Sequence, residues 1–138
     1  MRLLGIDYGG KRIGIAKSDE AGVFAHGLGF FGHRSDDEDV SEIVKLVAQY
    51  DIGIVVIGYP VNMNGSKGVQ AEKVERLAEK LKISTSAEIK LWDERLSSKE
   101  AERYLIEQDT SRKKRKRKVD QLAAQIILQA YMDSQRKG

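Results

Sequence analysis

The chain has 138 residues, 41% of them hydrophobic and 33% charged, with one proline and no cysteine. These totals suit one soluble domain spanning 1–138 and exclude a disulfide scaffold, a thiolate metal centre and a disordered or fibrous protein. The net charge is +3, but it is unevenly placed: Arg112-Lys113-Lys114-Arg115-Lys116-Arg117-Lys118 is an unbroken basic run, without which 17 basic residues stand against 21 acidic ones.

In chain order, residues 2–7 read as a strand whose apolar members, Leu3, Leu4 and Ile6, suit burial on both faces, with Asp7 at its end and Gly9-Gly10 as a turn. Residues 12–18 form the returning strand, and Val23 to Phe31 a third, weakened by its glycines. Val40, Ile43, Val44 and Val47 recur at helical spacing after an acidic start at 35–39, giving a helix that ends near Tyr50. Ile52 to Gly58 is the most β-rich run and reads as a central parallel strand, closed by Tyr59-Pro60. A polar loop rich in Asn and Gly follows, then a helix carrying Val74, Leu77, Ala78 and Leu81, then a strand from Ala87 to Trp92 ending at Asp93-Glu94-Arg95. Ser97 or Ser98 can cap a third helix through Glu107, with Ala101, Tyr104 and Leu105 inward. The basic run reads as a loop, and Leu122, Ala123, Ile126, Ile127, Ala130 and Tyr131 mark a last helix opened by Asp120. The class is α/β: a mixed five-stranded sheet, an antiparallel meander plus parallel strands, with helices on both faces.

Sites in such sheets lie beyond the carboxyl ends of the parallel strands. Acidic residues fall there: Asp7, the pair Asp93 and Glu94, and Asp120, which shares a largely apolar helix face with Ala124, Ile127 and Tyr131. An ionised carboxylate ending so apolar a strand needs compensation, and converging carboxylates call for a hard cation with oxygen ligands, Mg²⁺ or Mn²⁺. Two such ions about 3.5–4 Å apart activate water and stabilise the leaving oxygen in phosphodiester hydrolysis. The basic run, Arg112 to Lys118, then holds a polyanion by its phosphates. Each residue also has a plainer reading. Asp120 could cap its helix, Asp93 or Glu94 could pair with Arg95 on the surface, and His26 and His33 read as ordinary surface or loop histidines. Gly5 to Lys11 fits part of a Walker A loop, but Arg12 stands where Ser or Thr is required and a strand follows instead of a helix. The Asp7-Tyr8-Gly9 turn is also similar to the phosphate hairpin of actin-like and sugar kinases, which need two related domains where 138 residues supply one.

Gly5-Ile6-Asp7-Tyr8-Gly9, Gly58-Tyr59-Pro60 with Gly65 downstream, Asp93-Glu94-Arg95, and Lys118-Val119-Asp120 before Ala123-Ala124 together resemble the YqgF family of RNase-H-like, Holliday-junction-resolvase-like proteins. The resemblance implies the RNase H fold and a cytoplasmic, metal-dependent nuclease acting on the 5′ end of the small-subunit ribosomal RNA precursor. It implies Asp7, Glu94 and Asp120 as the catalytic, metal-binding carboxylates, with Asp93 a further candidate ligand. Arg95 or Lys11 would contact the scissile region of a structured RNA. No membrane is involved, and the protein acts as a monomer or homodimer. Cleavage of branched, four-way DNA junctions is the alternative, although residues 52–58 offer no acidic residue of the kind a junction resolvase carries. A third reading is a non-catalytic nucleic-acid-binding module served by the basic run.

Overall fold

The computed structural model describes residues 1–62, 64–96 and 112–137, with only the backbone of the last helix described over 112–121 and at 137. The elements are β1 (Arg2–Tyr8), β2 (Arg12–Ser18), β3 (Ala25–Gly32), α1 (Asp36–Gln49), β4 (Ile52–Tyr59), α2 (Val69–Ser84), β5 (Glu88–Asp93), a single 3₁₀ turn (Glu94–Leu96) and α3 (Arg112–Lys137). The third expected helix, 97–107, lies outside the described residues.

The strands form one sheet in the order β3-β2-β1-β4-β5. The β1–β2 and β2–β3 pairs are antiparallel, while β4 pairs parallel with both β1 and β5. This is the expected mixed sheet. Alternation along β1 divides its side chains between two cores. Leu4, Ile6 and Tyr8 join Val40, Ile43, Leu77 and Leu81 of α1 and α2 on one face, while Leu3 joins Ala124, Ile127, Leu128 and Tyr131 of α3 on the other. Asp7 falls on the α3 face by the same alternation.

Local signals explain the helix ends. The Ser35 side chain accepts from the Glu38 amide at 3.2 Å, and four acidic residues occupy the first turn of α1, where the helix dipole favours them. The chain leaves α1 through Asp51, whose φ is 52°. At the other end of the molecule, Gln125 and Gln129 of α3 hydrogen-bond the backbone of Val23 and Ala25 where β3 begins.

The last helix corrects one expectation. The basic residues Arg112 to Lys118 are its first turns and not a loop. Lys and Arg are good helix formers, and no glycine or proline interrupts the run, so intrinsic propensity outweighs the small repulsion between like charges one turn apart.

Helix α3 approaches the sheet closely because β1 is bare at Gly5. A methyl group there would stand 2.7 Å from Leu128 Cβ and 3.0 Å from the Ala124 carbonyl oxygen. Since a packed backbone cannot yield cheaply, Gly5→Ala should cost about 1–3 kcal/mol in a denaturant melt. An unchanged midpoint would mean that α3 does not pack there.

Candidate active site

Three features gather at the carboxyl ends of β1, β4 and β5. The pairing of Ile6 with Ile57 puts Asp7 and Gly58 side by side, and Gly58 in turn pairs with Trp92. The chain then turns at Glu94, and the glutamate folds back over Gly58: a methyl group on Gly58 would lie 2.6 Å from Glu94 Oε1 and 2.6 Å from Ile127 Cδ1. The Glu94 carboxyl therefore sits beside Asp7, under an aliphatic side chain of α3. Burial, first, and then the negative charges of Asp7 and Asp93 push its pKa up to about 7.

Asp93 takes a different place. Its carboxylate is gripped by Arg95, whose Nη2 donates at 2.7 Å and Nε at 3.0 Å, and the Arg95 amide also donates to it at 2.9 Å. Hydrogen bonding to Arg95 holds Asp93 below the usual carboxylate range. The plainer reading of this pair is thus the observed one for Asp93, and Glu94 alone turns toward Asp7. Arg95 also reaches the Asn62 carbonyl at 3.5 Å, so it ties the end of β5 to the loop after β4. Lys11 is exposed in the β1–β2 turn, four residues after Asp7.

Asp120 lies one helical turn before Ala124, on the stripe that continues through Ile127 to Tyr131. Because Tyr131 and Leu3 share a core while Ala124 meets Gly5, α3 runs antiparallel to β1. The turn at Asp120 therefore falls at the Asp7 end of the sheet. The basic segment precedes it: at about 1.5 Å per residue, about 18 Å of helix lies ahead of Ala124. Among the described residues no group of three His, Asp or Glu side chains is poised to hold a metal ion. The described pair, Asp7 and Glu94, is an all-oxygen donor set whose mutual repulsion a hard divalent cation would relieve.

The sequence pattern passed over a second cluster, directly behind Asp7 on the opposite face. Asp39 is 1% exposed, and its carboxylate accepts from the Tyr8 hydroxyl at 2.9 Å and the Arg34 amide at 3.2 Å, and contacts His33 Nδ1. Burial and the carboxylates of Asp39 and Asp36 raise the Tyr8 phenol well above its ordinary pKa. His33 is a loop residue, as the sequence reading has it, and its ring is in addition tied to Asp39. The signal was present: Asp39 is four residues before Ile43 and eight before Val47, on the buried stripe of α1. The Gln70 amide group of α2 completes the setting by donating to the Tyr8 carbonyl.

The architecture is that of RuvC-type, RNase H-like proteins. The RuvC of T. thermophilus in complex with a Holliday junction substrate is 13% identical, covers 100% of this chain and 96% of its own, and superposes with a TM-score of 0.67. The fowlpox virus Holliday junction resolvase gives a TM-score of 0.60 at 12% identity, over 98% of this chain and 99% of its own. Residues 1–134 match the family described as "RuvX: Holliday junction resolvase", and the chain belongs to that family. Among its relatives, a protein of Caldanaerobacter subterraneus subsp. tengcongensis is 49% identical over 100% of both chains, and one of Thermoanaerobacter pseudethanolicus is 47% identical over 99% of both. Each is named "Putative pre-16S rRNA nuclease".

The raised pKa of Glu94 has a sign that can be checked. A carboxyl whose pKa rises on folding favours the folded state fully below the unfolded value near 4.5, and that contribution is lost as pH climbs through about 7. Stability of the metal-free protein should fall over this window, and Glu94→Gln should flatten the decline. Carboxyl-carbon NMR should also show the Glu94 pKa dropping in Asp7→Asn while staying above the ordinary range, because burial is the larger cause. A titration identical to wild type would separate the two carboxylates.

Proposed function

We propose that this chain is a metal-dependent endonuclease that processes the 5′ end of the pre-16S ribosomal RNA. The observation that carries this reading is the 47–49% identity, over essentially the full length, to proteins named for that activity. The convergence of Asp7 and Glu94 at the strand ends supports it.

In this reading Asp7, Glu94 and Asp120 hold Mg²⁺ or Mn²⁺, with Asp93 kept apart by Arg95. The donor set fits a hard ion, since the oxygens are carboxylate and the chain has no cysteine. When bound, such an ion supplies Lewis-acid polarisation and an acidified water for phosphodiester hydrolysis, one ion or two. Glu94 contributes a carboxylate only once its proton has left, so metal affinity rises with pH up to about 7. Asp7 is fixed from behind by Tyr8, whose hydroxyl is anchored on Asp39 and whose carbonyl accepts from Gln70. Lys11, in the turn after Asp7, and the basic first turns of α3 attract and hold the RNA backbone. The enzyme acts in the cytoplasm, as a monomer or homodimer.

A second reading, resolution of four-way DNA junctions, has the family description and the RuvC-type fold behind it. Against it, β4 carries no acidic residue.

Incubating the protein with precursor RNA and with a synthetic junction, with and without Mg²⁺ or Mn²⁺, separates the readings. Cleavage of the RNA alone is expected, and cleavage of the junction alone would overturn the assignment. Asp7→Asn should abolish cleavage while the protein still folds and binds RNA. Neutralising four of the residues from Arg112 to Lys118 should lower the slope of log affinity against log salt by about 3. An unaltered slope would remove that segment from the docking surface.

A further inference from the structure

A second feature of the α3 face lies in register with Asp7. Asp7 pairs with Gly14 of β2, and Gly14 pairs with Phe30 of the edge strand β3. Residues in one such row share a face, so the Phe30 side chain projects on the same side of the sheet as Asp7, two strand spacings or about 10 Å away. Phe30 is 47% exposed. The Arg12 guanidinium lies over the ring, 4.7 Å from its centroid, and Arg12 pairs with Gly32, two residues on from Phe30. Around this couple the backbone is bare: a methyl group added at Gly10 or Gly32 would meet nothing within 4 Å.

A half-exposed aromatic ring beside a cation, bordered by glycines and in line with a carboxylate site, is poorly explained as packing. Phe31, the next residue, is the one that packs into the core on the other face. Phe30 leaves a planar apolar surface in water, and Arg12 and Lys11 add positive charge next to it.

We infer that Phe30, with Arg12, is a stacking platform for an unpaired nucleotide of the substrate strand, placed beside the phosphate that the Asp7 site receives. This deepens the nuclease reading and rests on the substrate being nucleic acid. Stacking accepts any base, because every base has a π face, and it requires that the base be free of its pair. The guanidinium adds cation–π attraction and a phosphate contact. The platform therefore selects a single-stranded stretch at the cleavage point, and the basic turns of α3 supply attraction that is indifferent to strandedness.

The test is binding in EDTA, where no cleavage occurs, to a fluorescent single-stranded RNA oligonucleotide and to a blunt RNA duplex. Phe30→Leu should weaken single-strand binding about five- to hundredfold, as loss of one stacked base does, with duplex binding unchanged. Phe30→Tyr should restore it. Equal affinity of wild type and Phe30→Leu for the single strand, or an equal loss for both ligands, would overturn the platform. A Phe30→Trp variant in a Trp92→Phe background gives a direct reading, since a base on the ring quenches its emission and unaltered emission on saturation contradicts stacking. Phe30-dependent binding by a protein that cleaves neither RNA nor junction would sink the nuclease reading and leave the platform standing.

Discussion

The approach of α3 to bare backbone at Gly5 and Gly58 is the constraint on which the site depends. Side chains on those two strands would hold the helix off by the width of a methyl group or more, and the turn carrying Asp120 would move away with it. Gly58 has a double role, since the space above its Cα is shared by the Glu94 carboxyl and an Ile127 methyl. The close fit that partly buries Glu94 is thus the larger cause of its reluctance to ionise, ahead of the charges of Asp7 and Asp93. Packing and electrostatics at this site are one phenomenon, in which the helix side chain that covers Glu94 also raises the cost of charging it.

The opposite face of the sheet answers a different need. A carboxylate at a strand end has a direction only if the strand has one, and β1 ends in Tyr8, which is held at both its hydroxyl and its carbonyl. The hydroxyl reaches the buried Asp39, itself satisfied by His33 and the Arg34 amide. A buried charge with several donors is tolerable, whereas the same charge with one donor removed is costly. This makes the cluster a support for the Asp7 backbone from the opposite face of the sheet.

Much of this was legible in the residues. Apolar runs of strand length, helices with clear 3.6-residue periodicity and a glycine turn after Asp7 point to the mixed sheet, an antiparallel meander followed by parallel strands with helices on both faces, while the spatial order of the strands appears only in the structure. Asp7 stood out because an ionisable group ended an apolar strand. What escaped the pattern did so for physical reasons. Seven adjacent cations read as a loop by charge, although their backbone preference is helical. Asp93 and Glu94 are neighbours in sequence, and only the turn of the chain beyond β5 decides which one faces Asp7. Asp39 was hidden by the acidic start of α1, where three other carboxylates are solvent-facing or half-buried. Phe30 drew no notice within a strand weakened by glycines, and its meaning comes from cross-strand register, which no single stretch of sequence displays.

The two glutamines of α3 at the start of β3 have a consequence for how this molecule meets others. An edge strand presents unpaired amides and carbonyls that can recruit a foreign strand. Gln129 accepts from the Ala25 amide and donates to the Val23 carbonyl, while Gln125 donates to the Ala25 carbonyl. The helix thereby writes its own side-chain amides into the ladder positions that an intruding chain would use. The start of β3 is thereby closed to extension by β-pairing, and a strand that adds to this edge has to do so beyond Ala25, toward the end where Phe30 stands.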